Sequence, residues 1–280
     1  MKKVFFLFII MMVLTSCLND NKDYIGRDIE LWENTEIWSF AKCVSEGEFD
    51  KAKKMITQDH IDVDCKEPKF GETLLSWAIL NDNIEAVRFL VDHGANPNSH
   101  NTYNGESPMT DAAGGFHSIE ILSYLLMHGG NPNDYVRDDE ILEYKSSETP
   151  LTKAAFTSLE KTKMLVEAGG DPNFSVEAGQ TPFFKAAYRV DILEYLLTNC
   201  IFDNKKTFIV TLDTGDTLYL KDLIEKDNVA YQQDSIRVKR VLEYLDKQTS
   251  NMRESNEHGA DRPRNPSISI RNARHSTGPF

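Results

Sequence analysis

The sequence predicts an all-α solenoid of about six helix pairs with β-turn fingers. Three observations lead there. Residues 71–98, GETLLSWAILNDNIEAVRFLVDHGANPN, hold two short apolar runs at helical spacing, each with its own start and stop signals. Neither run is long enough to hold itself up as a helix in water. The same punctuation then returns along the chain, as it must if each unit is to bury its apolar face against a copy of itself.

In the first unit, Thr73 is placed to cap a helix, because its hydroxyl can accept from a free amide of the first turn. Leu75, Ala78 and Ile79 follow three and four apart, the helical spacing. Asn81, Asp82 and Asn83 break the run with turn formers. Ile84, Val87, Leu90 and Val91 make a second face. Gly94 ends it, since the residue just past a helix often needs a positive φ. The second copy opens with Ser107-Pro108-Met109-Thr110-Asp111-Ala112-Ala113 and closes with Gly129-Gly130-Asn131-Pro132-Asn133. The third opens at Thr149-Pro150-Leu151 and closes with Gly169-Gly170-Asp171-Pro172-Asn173. The fourth opens at Thr181-Pro182-Phe183, and a weaker one begins at Thr217. The opening residues lie 34, 42, 32 and 36 positions apart. Proline at the first helical position lacks an amide that would have stayed unpaired anyway. Alanine pairs such as Ala154-Ala155 let neighbouring helices approach closely.

That period, with Thr-Pro-Leu and Gly-Ala-Asn-x-Asn punctuation, resembles the ankyrin repeat. The resemblance covers residues 35–248. One departure is plain: the family's histidine after Thr-Pro-Leu is replaced by Ser76, Thr110, Thr152 and Phe184. The resemblance implies a binding scaffold, with the partner on the concave side formed by finger tips and inner helices. By register, Trp77, Asp111, Lys153 and Lys185 point there, joined by Asn81, Phe156, Tyr188 and Arg189. Trp77 and Phe156 have a competing role as packing between repeats.

Residues 1–16 read as a lipoprotein signal peptide. Lys2 and Lys3 precede an apolar stretch, Val4 to Leu14, too short for a membrane span of about 20 residues. Leu14-Thr15-Ser16-Cys17 resembles the bacterial lipobox, which implies cleavage before Cys17 and its acylation. Several acyl chains anchor stably where one does not. Leu18, not the aspartate linked to inner-membrane retention, directly follows Cys17. An outer-membrane location, on the periplasmic or surface face, is therefore expected. Residues 17–34 are polar and expected to be a tether. Residues 35–64 should form a first helix pair on Ile37, Phe40, Ala41 and Val44, then Phe49, Ala52, Met55 and Ile56.

The 42-residue spacing places an insertion in the finger Asp134 to Lys145. Asp134, Asp138, Asp139, Glu140 and Glu143 are interleaved there with Tyr135, Ile141, Leu142 and Tyr144, either as a solvated loop or as a partner contact, since loops on rigid scaffolds carry recognition. Phe208 to Leu212 is strand-like, and Arg237, Lys239, Arg240 and Glu243 give the closing helix the polar face of a cap. Residues 249–280, poor in large apolar side chains, are expected to be a disordered tail.

The net charge of −13 argues against nucleic acid, whose phosphates call for a basic surface. It favours a basic protein partner. No catalytic motif, cofactor loop or metal spacing stands out. The mixed cluster Asp59 to Cys65 fits no recognised set, and His93 and His128 suit helix C-termini electrostatically. Cys43, Cys65 and Cys200 remain after Cys17, allowing at most one internal disulfide, with Cys43 and Cys65 the pair considered. The expectation is a monomeric, non-catalytic interaction module. The alternative is an immunity protein or inhibitor that masks a basic toxin or enzyme, and an enzyme is the least favoured reading.

Overall fold

The computed structural model describes residues 25–115, 117–136, 145–176, 179–203, 205–210, 217–226 and 235–258. Among the described residues, six helix pairs follow one another. They are α1 (Trp38–Ser45) with α2 (Phe49–Asp59), α3 (Leu74–Leu80) with α4 (Ile84–Asp92), and α5 (Pro108–Ala113) with α6 (Ile119–Met127). Then come α7 (Pro150–Thr157) with α8 (Leu159–Glu167), α9 (Pro182–Lys185) with α10 (Val190–Asn199), and α11 (Leu220–Lys226) with α12 (Ser235–His258). A 3₁₀ turn, Ala186–Tyr188, prolongs α9. From α3 to α10 the first helices of the pairs pack side by side in one layer and the second helices in another.

Local chemistry explains where each helix starts. Thr73 accepts from the Ser76 amide at 3.2 Å. Ser107 and Thr149 begin α5 and α7 with reciprocal capping, in which Thr110 and Thr152 return the favour. The hydroxyl oxygens of Thr110 and Thr152 accept from the Ser107 and Thr149 amides, both at 2.7 Å. Thr110 and Thr152 therefore seal their own helix starts, worth about 1 kcal/mol per cap. Gly94, Gly129 and Gly169 close the outer helices at φ 97°, 90° and 93°, the left-handed region that a side chain makes costly.

Successive repeats are fastened by an asparagine ladder. Asn98 donates to the Gly129 carbonyl at 2.9 Å and accepts from the Asn131 amide at 2.8 Å. Asn133 does the same with Gly169 and Asp171, and Asn173 with Ile201 and Asp203. Each rung satisfies one donor and one acceptor of the next closing loop. The core beneath forms two clusters, one holding Trp32, Phe40, Leu74, Leu75, Ile79, Leu90, Met109, Ile121, Leu122, Leu125 and Leu151, the other Phe183, Ile192, Leu193 and Leu196, all sealed from solvent.

Three features differ from the sequence reading. Residues 25–34, expected as tether, are packed: Leu31 and Trp32 are buried against the first repeats around the 3₁₀ turn Ile29–Trp32. The closing helix runs on to His258, past residue 248. In the last unit the helix does not begin directly after Thr217 but at Leu220. Thr217 lies in β2 (Thr217–Tyr219), antiparallel to β1 (Phe208–Val210), with Phe208 opposite Tyr219. The expected strand is thus real, and its partner takes the place of the usual helix start. Among the described residues, no helix is long and apolar enough to cross a membrane, and Cys43, Cys65 and Cys200 are free thiols. Residues 1–24, with Cys17, and residues 259–280 lie outside the described residues.

Candidate functional site

A groove of about 440 Å³ opens on the first-helix layer, between α7 and α9. Its lining comes from Phe156 and Thr157 of α7, Phe184 and Tyr188 around α9, and the Gly114–Gly115 turn after α5. Phe156 and Tyr188 are 55% and 54% exposed, and their rings meet edge to face with centroids 6.3 Å apart. Two large rings so open to water on a packed scaffold are costly unless something covers them, and such patches often mark contacts. The rim is ionic. Lys153 pairs with Glu106 at 2.8 Å and Lys185 with Glu148 at 2.6 Å. Arg189 donates to the Thr157 carbonyl at 2.7 Å and pairs with Asp191 at 3.2 Å.

The turn that follows α5 forms one wall of the groove. The helix ends at Ala113, and the chain turns away through Gly114 and Gly115. The carbonyls freed there are met by a buried lysine: Lys161 Nζ donates to Ala112 at 2.8 Å and to Gly114 at 3.0 Å. Burial holds the Lys161 ammonium below the usual lysine range. The His117 imidazole nearby is lowered too, chiefly by burial and then by the Lys161 charge.

The expected contact residues divide. Phe156, Tyr188, Lys153, Lys185 and Arg189 come together around the groove. Trp77 does not face a partner: it is 6% exposed, and its ring N–H donates to the Arg27 carbonyl at 2.9 Å. Asn81 is exposed, but its amide is spent on the Arg27 and Trp77 carbonyls. The N-terminal segment thus covers this end of the stripe. Asp111 is partly buried with a sealed Oδ2, so it is a poor anchor for another protein. Burial pushes its carboxyl up to about 7, against the pull of Lys153.

In the long finger, Asp134 is buried, accepting from the Ser107 hydroxyl and bonded to the His100 ring at 3.2 Å. Tyr135 is exposed and leans on Phe174, centroids 5.0 Å apart. Asp138, Asp139, Glu140 and Tyr144 lie outside the described residues. His93 and His128 bond back to the Phe89 and Tyr124 carbonyls at 2.7 and 2.8 Å, an architectural role. Gly114, Gly115, Glu106, Glu148 and Lys161 were missed in the sequence. A signal existed for Lys161: with Thr162 it occupies the register of the buried Ala86-Val87, Ile121-Leu122 and Ile192-Leu193 pairs.

Residues 40–136 match the family model of ankyrin repeats in three copies. A stretch of 57 residues is 40% identical to palmitoyltransferase akr1 of Schizosaccharomyces pombe, covering 20% of this chain and 9% of that protein. Another of 70 residues is 39% identical to an ankyrin repeat protein of Rickettsia bellii, covering 24% of this chain and 10% of that one. The chain thus spans about a tenth of the length of these curated relatives. Among solved structures, an ankyrin repeat domain from Acinetobacter baumannii superposes with a TM-score of 0.56 at 19% identity, covering 73% of this chain and 96% of that one. A second ankyrin repeat protein gives 0.54 at 21% identity, covering 76% and 98%. The fold is an all-α ankyrin solenoid, and ankyrin repeats are protein–protein interaction modules, generally without catalysis of their own.

Proposed function

We propose that this ankyrin-repeat solenoid captures a protein partner in the groove of Phe156 and Tyr188, acting as a monomer held at the bacterial envelope. The observation that carries the reading is the pair of exposed, edge-to-face rings on rigid inner helices. Aromatic anchors in a pocket with a polar rim are the usual arrangement of an interaction hot spot. Because Lys153 and Lys185 are already neutralised by Glu106 and Glu148, the groove offers an apolar seat and the rim sets orientation. The chain's charge of −13 would speed encounter with a basic partner, an effect that salt weakens.

The anchoring half rests on the sequence. Lys2 and Lys3, the apolar run and Leu14-Thr15-Ser16-Cys17 support acyl chains on Cys17 and an outer-membrane location. Palmitate-type acylation and the absence of a retention aspartate belong to the same proposal. The acidic surface favours one specific version, an inhibitor or immunity protein that masks a basic toxin or enzyme.

The test begins with capture of the partner from membranes by the tagged full chain and its identification by mass spectrometry. Affinity is then measured with the purified partner. Tyr188→Ala, and separately deletion of residues 135–144, should each weaken binding by more than about 1 kcal/mol, the range of interface anchors. Unchanged affinity in both would place the contact elsewhere.

A further inference from the structure

Among the described residues, four buried side-chain polar atoms lack a hydrogen-bond partner, and three sit together: Glu72 Oε2, Ser76 Oγ and Asp111 Oδ2. They lie at the joint between the second and third helix pairs. Glu72 ends the hairpin before α3, Ser76 is on α3 and Asp111 is on α5. The Ser76 hydroxyl borders both carboxyls and is itself buried. With both acids ionised, the group contains acceptors and a single donor hydrogen, that of Ser76. It cannot satisfy itself, and buried polar groups rarely stay unsatisfied.

We propose that Glu72 and Asp111 share a proton across the Ser76 hydroxyl, making this inter-repeat joint a proton-linked latch. One proton taken from solvent turns a carboxylate oxygen into a donor. Ser76 then accepts from one carboxyl and donates to the other. The proton's departure leaves two like charges facing each other between packed helices.

The surrounding charges favour a protonated pair. Glu67 spends its carboxylate on the amides of Lys69, Phe70 and Glu72, at 2.6, 2.7 and 3.0 Å. On the finger, Asn101 donates to Glu72 Oε1 at 2.8 Å, and Glu106 is held by Lys153 and the Ser146 hydroxyl. Lys153 of α7 pulls on Asp111, and it is already paired with Glu106. Burial, then the Asp111 charge, push Glu72 up to about 8. A carboxyl whose folded pKa is raised contributes stability that is full below the ordinary carboxylate range. That stability is lost as the pH climbs through the raised value. The window here runs from the ordinary carboxylate range up to about 8.

The experiment measures urea unfolding of the full chain, with the double variant Glu72→Gln/Asp111→Asn beside it, from about pH 6 to about pH 9. The amides keep the shape of the acids and carry no titrating proton. The wild-type midpoint should fall across this range, and the double variant should lose most of that fall. Carboxyl ¹³C NMR of the wild-type chain should show a carboxyl titrating above about pH 6, absent from the variant. Equal pH slopes, or wild-type carboxyls that all titrate in the ordinary range, would overturn the proposal. If the variant fails to fold, the wild-type NMR titration decides alone.

Discussion

Lys161 reaches from one repeat into the one before it, its ammonium 3.0 Å from the Gly114 carbonyl oxygen. A cation that is 3% exposed is tolerated because two helix-end carbonyls surround it, at the negative end of the α5 dipole. The same Gly114 lines the groove, so the lysine braces one wall of it.

Lys161→Met should cost about 1–3 kcal/mol, because it leaves the Ala112 and Gly114 carbonyls without their donor. It should also change the alkaline behaviour. The lowered Lys161 pKa means that the unfolded chain binds this proton more tightly than the folded one does. Wild-type stability should therefore gain on the variant as the pH rises toward the ordinary lysine range. Urea unfolding at neutral and alkaline pH reads both effects, and an unchanged midpoint in the variant would remove Lys161 from the account of the groove.

Gly129→Val should destabilise by at least about 1 kcal/mol from backbone strain alone. At φ 90° the added Cβ meets nothing within 4 Å, so no clash contributes. Gly130→Ala fails for the opposite reason: its Cβ would run into Met109 Sδ and lie 2.8 Å from the Leu125 carbonyl oxygen. Thermal melts of both variants, with the structure of Gly129→Val checked for local change, separate the two mechanisms.

Asn133→Ala removes a rung of the ladder, freeing the Gly169 carbonyl and the Asp171 amide. Both groups are near water, so the expected loss is about 1 kcal/mol, as for two modest hydrogen bonds partly replaced by solvent. Hydrogen exchange should quicken at Asp171 first. Protection there as strong as in the wild type would show that the rung does not hold the loop.

Much of this architecture was legible because its boundaries are written in local chemistry. Thr73, Ser107, Thr149 and Thr181 cap, Pro108, Pro150 and Pro182 start, and Gly94, Gly129 and Gly169 stop. What stayed hidden depends on distant partners. Nothing near Trp32 says that it will be buried, since the surface it covers is the exposed end of the stack. Trp77 sits in the register of the binding stripe, and only Arg27, fifty residues upstream, reveals why it is closed off. The groove aromatics were legible from register alone. The Gly114–Gly115 turn and its Lys161 brace were not, because the donor that meets the carbonyls at the end of α5 comes from α8, three elements later.

Cys17→Ala should abolish incorporation of a fatty-acid probe and release the chain from membranes into the soluble fraction. Label retained on that variant would remove the lipid anchor from the proposed function.

The groove itself is tested most directly by site-specific photocrosslinking in cells. A photoreactive phenylalanine replaces Tyr188 in one version of the full chain and the exposed outer-helix residue Glu85 in another. The account predicts a discrete protein adduct from position 188, lost when Phe156→Ala is added, and none from position 85. An adduct from position 85 with none from position 188 would contradict it.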